Sequence, residues 1–145
     1  MPTNIYTAGL NNVGSYQVSG APFLTSSQAP ASASAVDTAA LKISFPQVTK
    51  EITIMHMGSD NESSGSMRLA MSARGLYQQE ANYNYFLIPP SSSVTLNIKA
   101  TEVYLMSNDS SAQTFSICAS LTNIPVDRVN NLVTGTNWSG STGIG

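Results

Sequence analysis

Cysteine, histidine and charge are all scarce in this chain of 145 residues. Cys118 is the only cysteine, which excludes an intrachain disulfide framework and a thiolate zinc site. His56 is the only histidine. Charged residues make up 10% of the chain, against about 25% in an average soluble domain. Six Lys and Arg against eight Asp and Glu give a net charge of -2 and leave no basic surface to neutralise a phosphate backbone. Nucleic-acid binding driven by counterion release is therefore not expected. No apolar run approaches the ~18 residues of a membrane-spanning helix, and the start Met-Pro-Thr-Asn-Ile-Tyr lacks the basic and apolar regions of a secretory leader. The expected place of synthesis is a cytoplasm, with no membrane partner.

Neutral polar residues take the place of charge. Ser, Thr and Asn number 22, 13 and 12, about a third of the chain. Together with ten Gly and seven Pro they disfavour amphipathic helices and suit strands, turns and extended segments.

Three zones separate by composition. Residues 1–39 carry one charge, Asp37, and no helical or strand periodicity, so they read as an extended N-terminal arm. Fully extended, such an arm reaches at most ~130 Å. Residues 40–124 hold eleven of the fourteen charges and seven runs of alternating apolar and polar residues. The runs are Leu41–Phe45, Ile52–Met57, Leu69–Ala73, Tyr83–Leu87, Val94–Ile98, Val103–Leu105 and Phe115–Leu121. Turn-forming clusters separate them, which predicts an all-β fold, an antiparallel β-sandwich of jelly-roll or immunoglobulin-like topology. An eighth strand is expected from the arm around Tyr16–Val18. The predicted core is Ile54, Leu96, Ile98, Val103, Leu105, Phe115 and Ile117. Residues 125–145 read as a C-terminal arm. Val126, Val129 and Val133 lie at helical spacing there, ahead of a Gly/Ser/Thr-rich stretch that contains the sole tryptophan, Trp138.

Signals for catalysis are weak. His56 is in phase with Ile52 and Ile54 inside a strand, the pattern of a packed structural histidine, and no Gly-x-Ser-x-Gly elbow accompanies it. Asp60–Gly65 has oxygen donors at alternate positions, but the twelfth position is Met71 where a calcium loop needs a bidentate Glu. The Asn-x-Ser matches at Asn61, Asn108 and Asn137 are as many as chance supplies. Cys118 faces away from Phe115's side of its strand and is expected to be a half-buried thiol. No catalytic residue, metal ligand or cofactor site is assigned, and the chain is not expected to be an enzyme.

The arms are the informative feature, because large apolar groups sit along nearly uncharged ends. Tyr6, Leu10, Tyr16, Phe23, Leu24, Leu132 and Trp138 are the candidate partner contacts, since aromatic side chains supply much area for few frozen rotors. Ends of this kind suit a protein that drapes itself over a neighbour. A second reading is a glycan-binding module of a head fibre, spike or tail, with Tyr77, Tyr83 and Tyr85 stacking and Asn82 and Asn84 hydrogen-bonding.

The segment Tyr6-Thr-Ala-Gly-Leu-Asn-Asn-Val-Gly-Ser-Tyr16-Gln-Val-Ser-Gly-Ala-Pro-Phe23 resembles the start of small virion structural proteins of tailed phages, marine podovirus-like and cyanophage-like ones in particular. The stretches Phe45–Ile54 and Ala119–Ile124 are similar to later parts of such proteins. The resemblance implies a capsid decoration or cement protein on the outside of a virion. Its implied partners are the major capsid protein and further copies of itself in a symmetric homo-oligomer, a trimer among the options. It supplies no catalytic residues.

Overall fold

A computed structural model describes residues 21–31, 40–58, 65–76 and 85–128, with Gly9 and Val13 besides. The described residues form eight strands in succession: β1 (Ala21–Ala29), β2 (Leu41–Ser44), β3 (Thr49–Gly58), β4 (Met67–Ala70), β5 (Phe86–Ile88), β6 (Ser93–Leu96), β7 (Glu102–Ser107) and β8 (Gln113–Leu121). Among the described residues there is no α-helix, only short 3-10 turns at Arg74–Leu76 and Val126–Arg128. The all-β expectation holds.

The strands form two four-stranded antiparallel sheets, ordered β1-β8-β3-β6 and β2-β7-β4-β5. The pairs β4–β5, β3–β6, β2–β7 and β1–β8 are successive stretches of one long antiparallel ribbon, folded back on itself between β4 and β5. Rolling that ribbon brings β8 beside β3 and β7 beside β4. This is the jelly-roll order, and it decides between the two topologies left open by the alternation.

Each run of alternation places one phase between the sheets. On the first sheet the inward rows are Phe23–Ala119–Ile52–Leu96 and Thr25–Ile117–Ile54–Val94. On the second they are Leu41–Leu105–Leu69 and Ile43–Val103, and Phe86, paired with Leu69 on the edge strand, is exposed. Ile54, Val103, Leu105, Phe115 and Ile117 are buried, as expected of the core. Leu96 and Ile98 are half-buried and pack against its rim, because β6 is an edge strand covered on one flank only. Burying a side chain of this size stabilises the fold by about 1.5–3 kcal/mol.

Two expectations need correction. The eighth strand is Ala21–Ala29, so the sandwich begins within the stretch assigned to the arm and that assignment fails for residues 21–29. Nine consecutive pairs with β8, nearly a hundred residues away, define this strand, and local pattern carries no trace of them. Phe23 consequently turns inward and packs edge-on against Phe45, with ring centroids 5.2 Å apart, instead of standing free as an anchor. The described end of the Tyr83–Leu87 run is also out of phase. The strand there starts at Phe86 and buries Ile88, leaving Phe86 and Leu87 exposed.

Buried polar groups fasten the ends of the roll. Thr49 Oγ1 donates to the Ile98 carbonyl (2.9 Å) and accepts from Ala100 N (3.0 Å). Thr122 Oγ1 donates to the Val48 carbonyl (2.7 Å) and accepts from Ile124 N (3.2 Å). Among the described residues no buried side-chain polar atom lacks a partner, as a low-dielectric interior requires. β3 is bulged between His56 and Gly58, and Gly58 takes φ 84°, a left-handed backbone that favours glycine.

Candidate functional site

The chemistry-bearing side chains divide between the interior and the two outer sheet faces. His56 is in the interior and fully buried. Its Nδ1 lies 3.3 Å from the Ile88 carbonyl and 3.2 Å from the Pro89 carbonyl, to which it donates. Nε2 pairs with the Gln113 side-chain amide at 3.1 Å. Both ring nitrogens are thus engaged by the β5–β6 turn and the start of β8. This geometry is that of a strut, with the ring turned away from solvent and bonded at both ends.

The outer face of β2-β7-β4-β5 carries the charges and a second small core. Glu102 is buried there, held by Lys42 Nζ at 2.6 Å and by the Tyr104 hydroxyl at 2.8 Å. The hydrogen bond to Glu102 raises the Lys42 pKa above its ordinary value. Burial, and then the same carboxylate, raises that of Tyr104. Next to them Ala70, Leu76 and Met106 are buried together, with Tyr85 and Tyr104 packed on them. The 3-10 turn Arg74–Leu76 supplies Leu76 as a lid over the sheet. Arg68 clamps that lid: Nε donates to Asn108 Oδ1 (2.7 Å) and Nη1 to the Leu76 carbonyl (3.0 Å). Its guanidinium also stands 4.7 Å from the centre of the Tyr85 ring. One face of Tyr85 is therefore already occupied, which leaves it poorly placed to stack on a sugar. Tyr77, Asn82, Tyr83 and Asn84 lie outside the described residues.

The outer face of β1-β8-β3-β6 is different. Its central rows read Leu24–Cys118–Thr53–Thr95 and Ser26–Ser116–Met55–Ser93, with no charge among them. Leu24 is 72% exposed, Met57 57% and Met55 49%. Cys118 is exposed as well, rather than half-buried, because it occupies the outward phase of a central strand that nothing described overlies. Hydroxyls join neighbouring strands within the rows, Ser26 Oγ to Ser116 Oγ at 2.7 Å and Thr53 Oγ1 to Thr95 Oγ1 at 3.0 Å. At one end a depression of ≈ 410 Å³ is lined by Met55, His56, Met57 and Ser91–Ser93. Charge appears at the opposite end, where the bulge beside Thr49 brings Glu51 opposite Ser120.

Of the candidate contacts, Leu24 belongs to this face and Phe23 to the core. Tyr6, Leu10, Tyr16, Leu132 and Trp138 lie outside the described residues. Ala21 pairs with Leu121, so the stretches before β1 and after β8 leave from the same end of the same sheet. The Asp60–Gly65 loop is described only at Gly65, where any Cβ would overlap the Asp109 carboxylate. Among the described residues no cluster of three or more His, Cys, Asp or Glu is placed to hold a metal ion.

Met55 and Met57 could have been found as a surface, whereas the exposure of Cys118 departs from the half-buried thiol expected of it. In the Ile52–Met57 run, Thr53, Met55 and Met57 form the phase opposite the core, and two methionines there are a signal in themselves. Compared with family models, with curated proteins and with solved structures, the chain matches none.

Proposed function

We propose that this protein is a virion structural protein, a decoration or cement protein that binds the assembled capsid of a tailed phage and stabilises it. The reading is carried by the start of β1 lying against the end of β8, Ala21 opposite Leu121, in a sheet whose outer central rows carry no charge. Two ends that emerge together can grip one neighbouring subunit, with Tyr6, Leu10, Tyr16, Leu132 and Trp138 as anchors and Leu24 at the rim. The jelly roll occurs in viral capsid proteins and in lectins, and by itself favours neither. What favours attachment is a charge-poor contact surface together with the engaged state of Tyr85.

The mechanism is thermodynamic. A protein that binds only the assembled lattice adds its binding free energy to that state by mass action. With few charges at the contact, attachment should depend weakly on salt.

Co-sedimentation with undecorated capsids tests this. The full chain should pellet with capsids at both low and high salt. A chain lacking residues 1–20, with β1 left whole, should stay in the supernatant. Unchanged pelleting of the shortened chain discards the role given to the N-terminal stretch, and failure of the full chain to pellet discards the function.

A further inference from the structure

A sheet edge presents unpaired N–H and C=O groups to any passing strand, and stable monomers blunt their edges with short strands, charge, proline or bulges. Three edges of this sandwich are blunted. β2 has four residues, shows Lys42 on its solvent side and is followed by Pro46. β5 has three residues and runs into Pro89-Pro90. β6 has four residues and follows a turn in which Ser91 takes φ 56°. The fourth edge, β1, has nine residues and pairs with β8 in unbroken register. It carries no charged side chain, and its only proline, Pro22, is at the second position. Among the described residues no strand pairs with its outer side.

We infer that β1 is a self-pairing edge. Its partner is β1 of a second copy of this chain, antiparallel about a two-fold axis at Thr25. The two β1-β8-β3-β6 sheets then join into one continuous sheet of eight strands. Centring on Thr25 sets Phe23 opposite Ser27, Leu24 opposite Ser26 and Pro22 opposite Gln28, so large side chains meet small ones and no like charges meet. Inner and outer faces stay continuous, because each pair unites residues of the same phase. The two Leu24 side chains become diagonal neighbours and shield one another. Ser27 is exposed although it lies across from buried Phe115, which marks an open mouth of the core at this edge. Phe23 of the second copy comes to that mouth. The two-fold contact uses the same patch on both copies and so closes at a dimer. This pairing follows from the edges alone and does not require attachment to a capsid.

Sedimentation velocity of the full chain over a concentration series tests it. The mass should rise from 15.3 kDa to about twice that value. The variant Leu24→Lys/Ser26→Lys sets lysine opposite lysine at two pairs and should remain a monomer at every concentration. Leu24→Lys/Ser26→Glu sets lysine opposite glutamate at the same pairs and should restore the dimer, more tightly at low salt. Both positions are solvent-facing, and matching far-UV spectra and melting midpoints establish that each variant folds. Independently, Leu24→Cys in a Cys118→Ser background should be trapped as a covalent dimer by a short bifunctional maleimide. A wild-type chain that stays monomeric, a dimer that survives the double-lysine change, equal behaviour of the two charge variants, or no trapped dimer each overturns the pairing.

Discussion

On the outer face of the β2-β7-β4-β5 sheet, Ala70 and Met106 lie beneath Leu76, and Arg68 ties that lid down through Asn108 and the Leu76 carbonyl. On the outer face of the other sheet, Leu24, Met55, Met57 and Cys118 stand in solvent among serines and threonines. The two faces belong to one roll and alternate by the same period of two. What separates them is a connection: a single 3-10 turn after β4 covers one, and nothing described covers the other. The first face has been finished by the chain itself and contributes to stability. The second has no such cover among the described residues.

Substitutions can break that contrast or sharpen it. The largest effect is expected at Met106, fully buried under the lid. Met106→Ala should cost about 2–5 kcal/mol in chemical denaturation, the range for emptying a well-packed site of this size. A loss close to zero would show the lid to be loosely seated.

An intermediate effect is expected at alkaline pH. Lys42 and Tyr104 both hold their protons more tightly in the folded chain than at their ordinary values of 10.5 and 10.0. The stabilisation they contribute is complete below those values and is lost as pH rises through the higher folded ones. The melting midpoint should therefore fall above about pH 10, and the fall should be shallower in Tyr104→Phe. An unchanged slope in that variant would remove Tyr104 from the coupling.

The smallest effect is expected on the open face. Met55→Ala should shift stability by no more than about 0.5 kcal/mol, as is usual for an exposed site without special contacts. A larger cost in the isolated chain would mean that Met55 packs against something, and the distinction between the faces would weaken.

The strands of the sandwich were legible where they are flanked by turn residues and bury one clear phase. Val94–Leu96, Val103–Leu105 and Phe115–Leu121 fall in their strands with the anticipated sides inward. β1 was not legible as a strand, because in APFLTSSQA one phase holds Phe23 with only small residues beside it and the other exposes Leu24, and the strand is held by its pairing with β8. β5 was misphased, because the Tyr83–Leu87 alternation set Tyr85 and Leu87 on one phase, whereas Ile88 is the residue buried. Tyr85 instead serves the second small core and the Arg68 clamp, which only the fold of the 71–76 turn brings together. The structural role of His56 could be read from its phase with Ile52 and Ile54. Its partners, Gln113 and the carbonyls of Ile88 and Pro89, could not, since they lie more than thirty positions along the chain.

The folded-back ribbon sets an order in which the molecule closes. Met67 meets Ile88 across some twenty residues of chain, whereas Ala21 meets Leu121 across a hundred. Loop-closure entropy grows with that span, so the outermost rung is the slowest to zip and the first to fray. Amide exchange should accordingly begin in β1. A molecule bound along the outer side of β1 would sit on the loose end of the zipper, and holding that end would slow the unravelling of everything behind it.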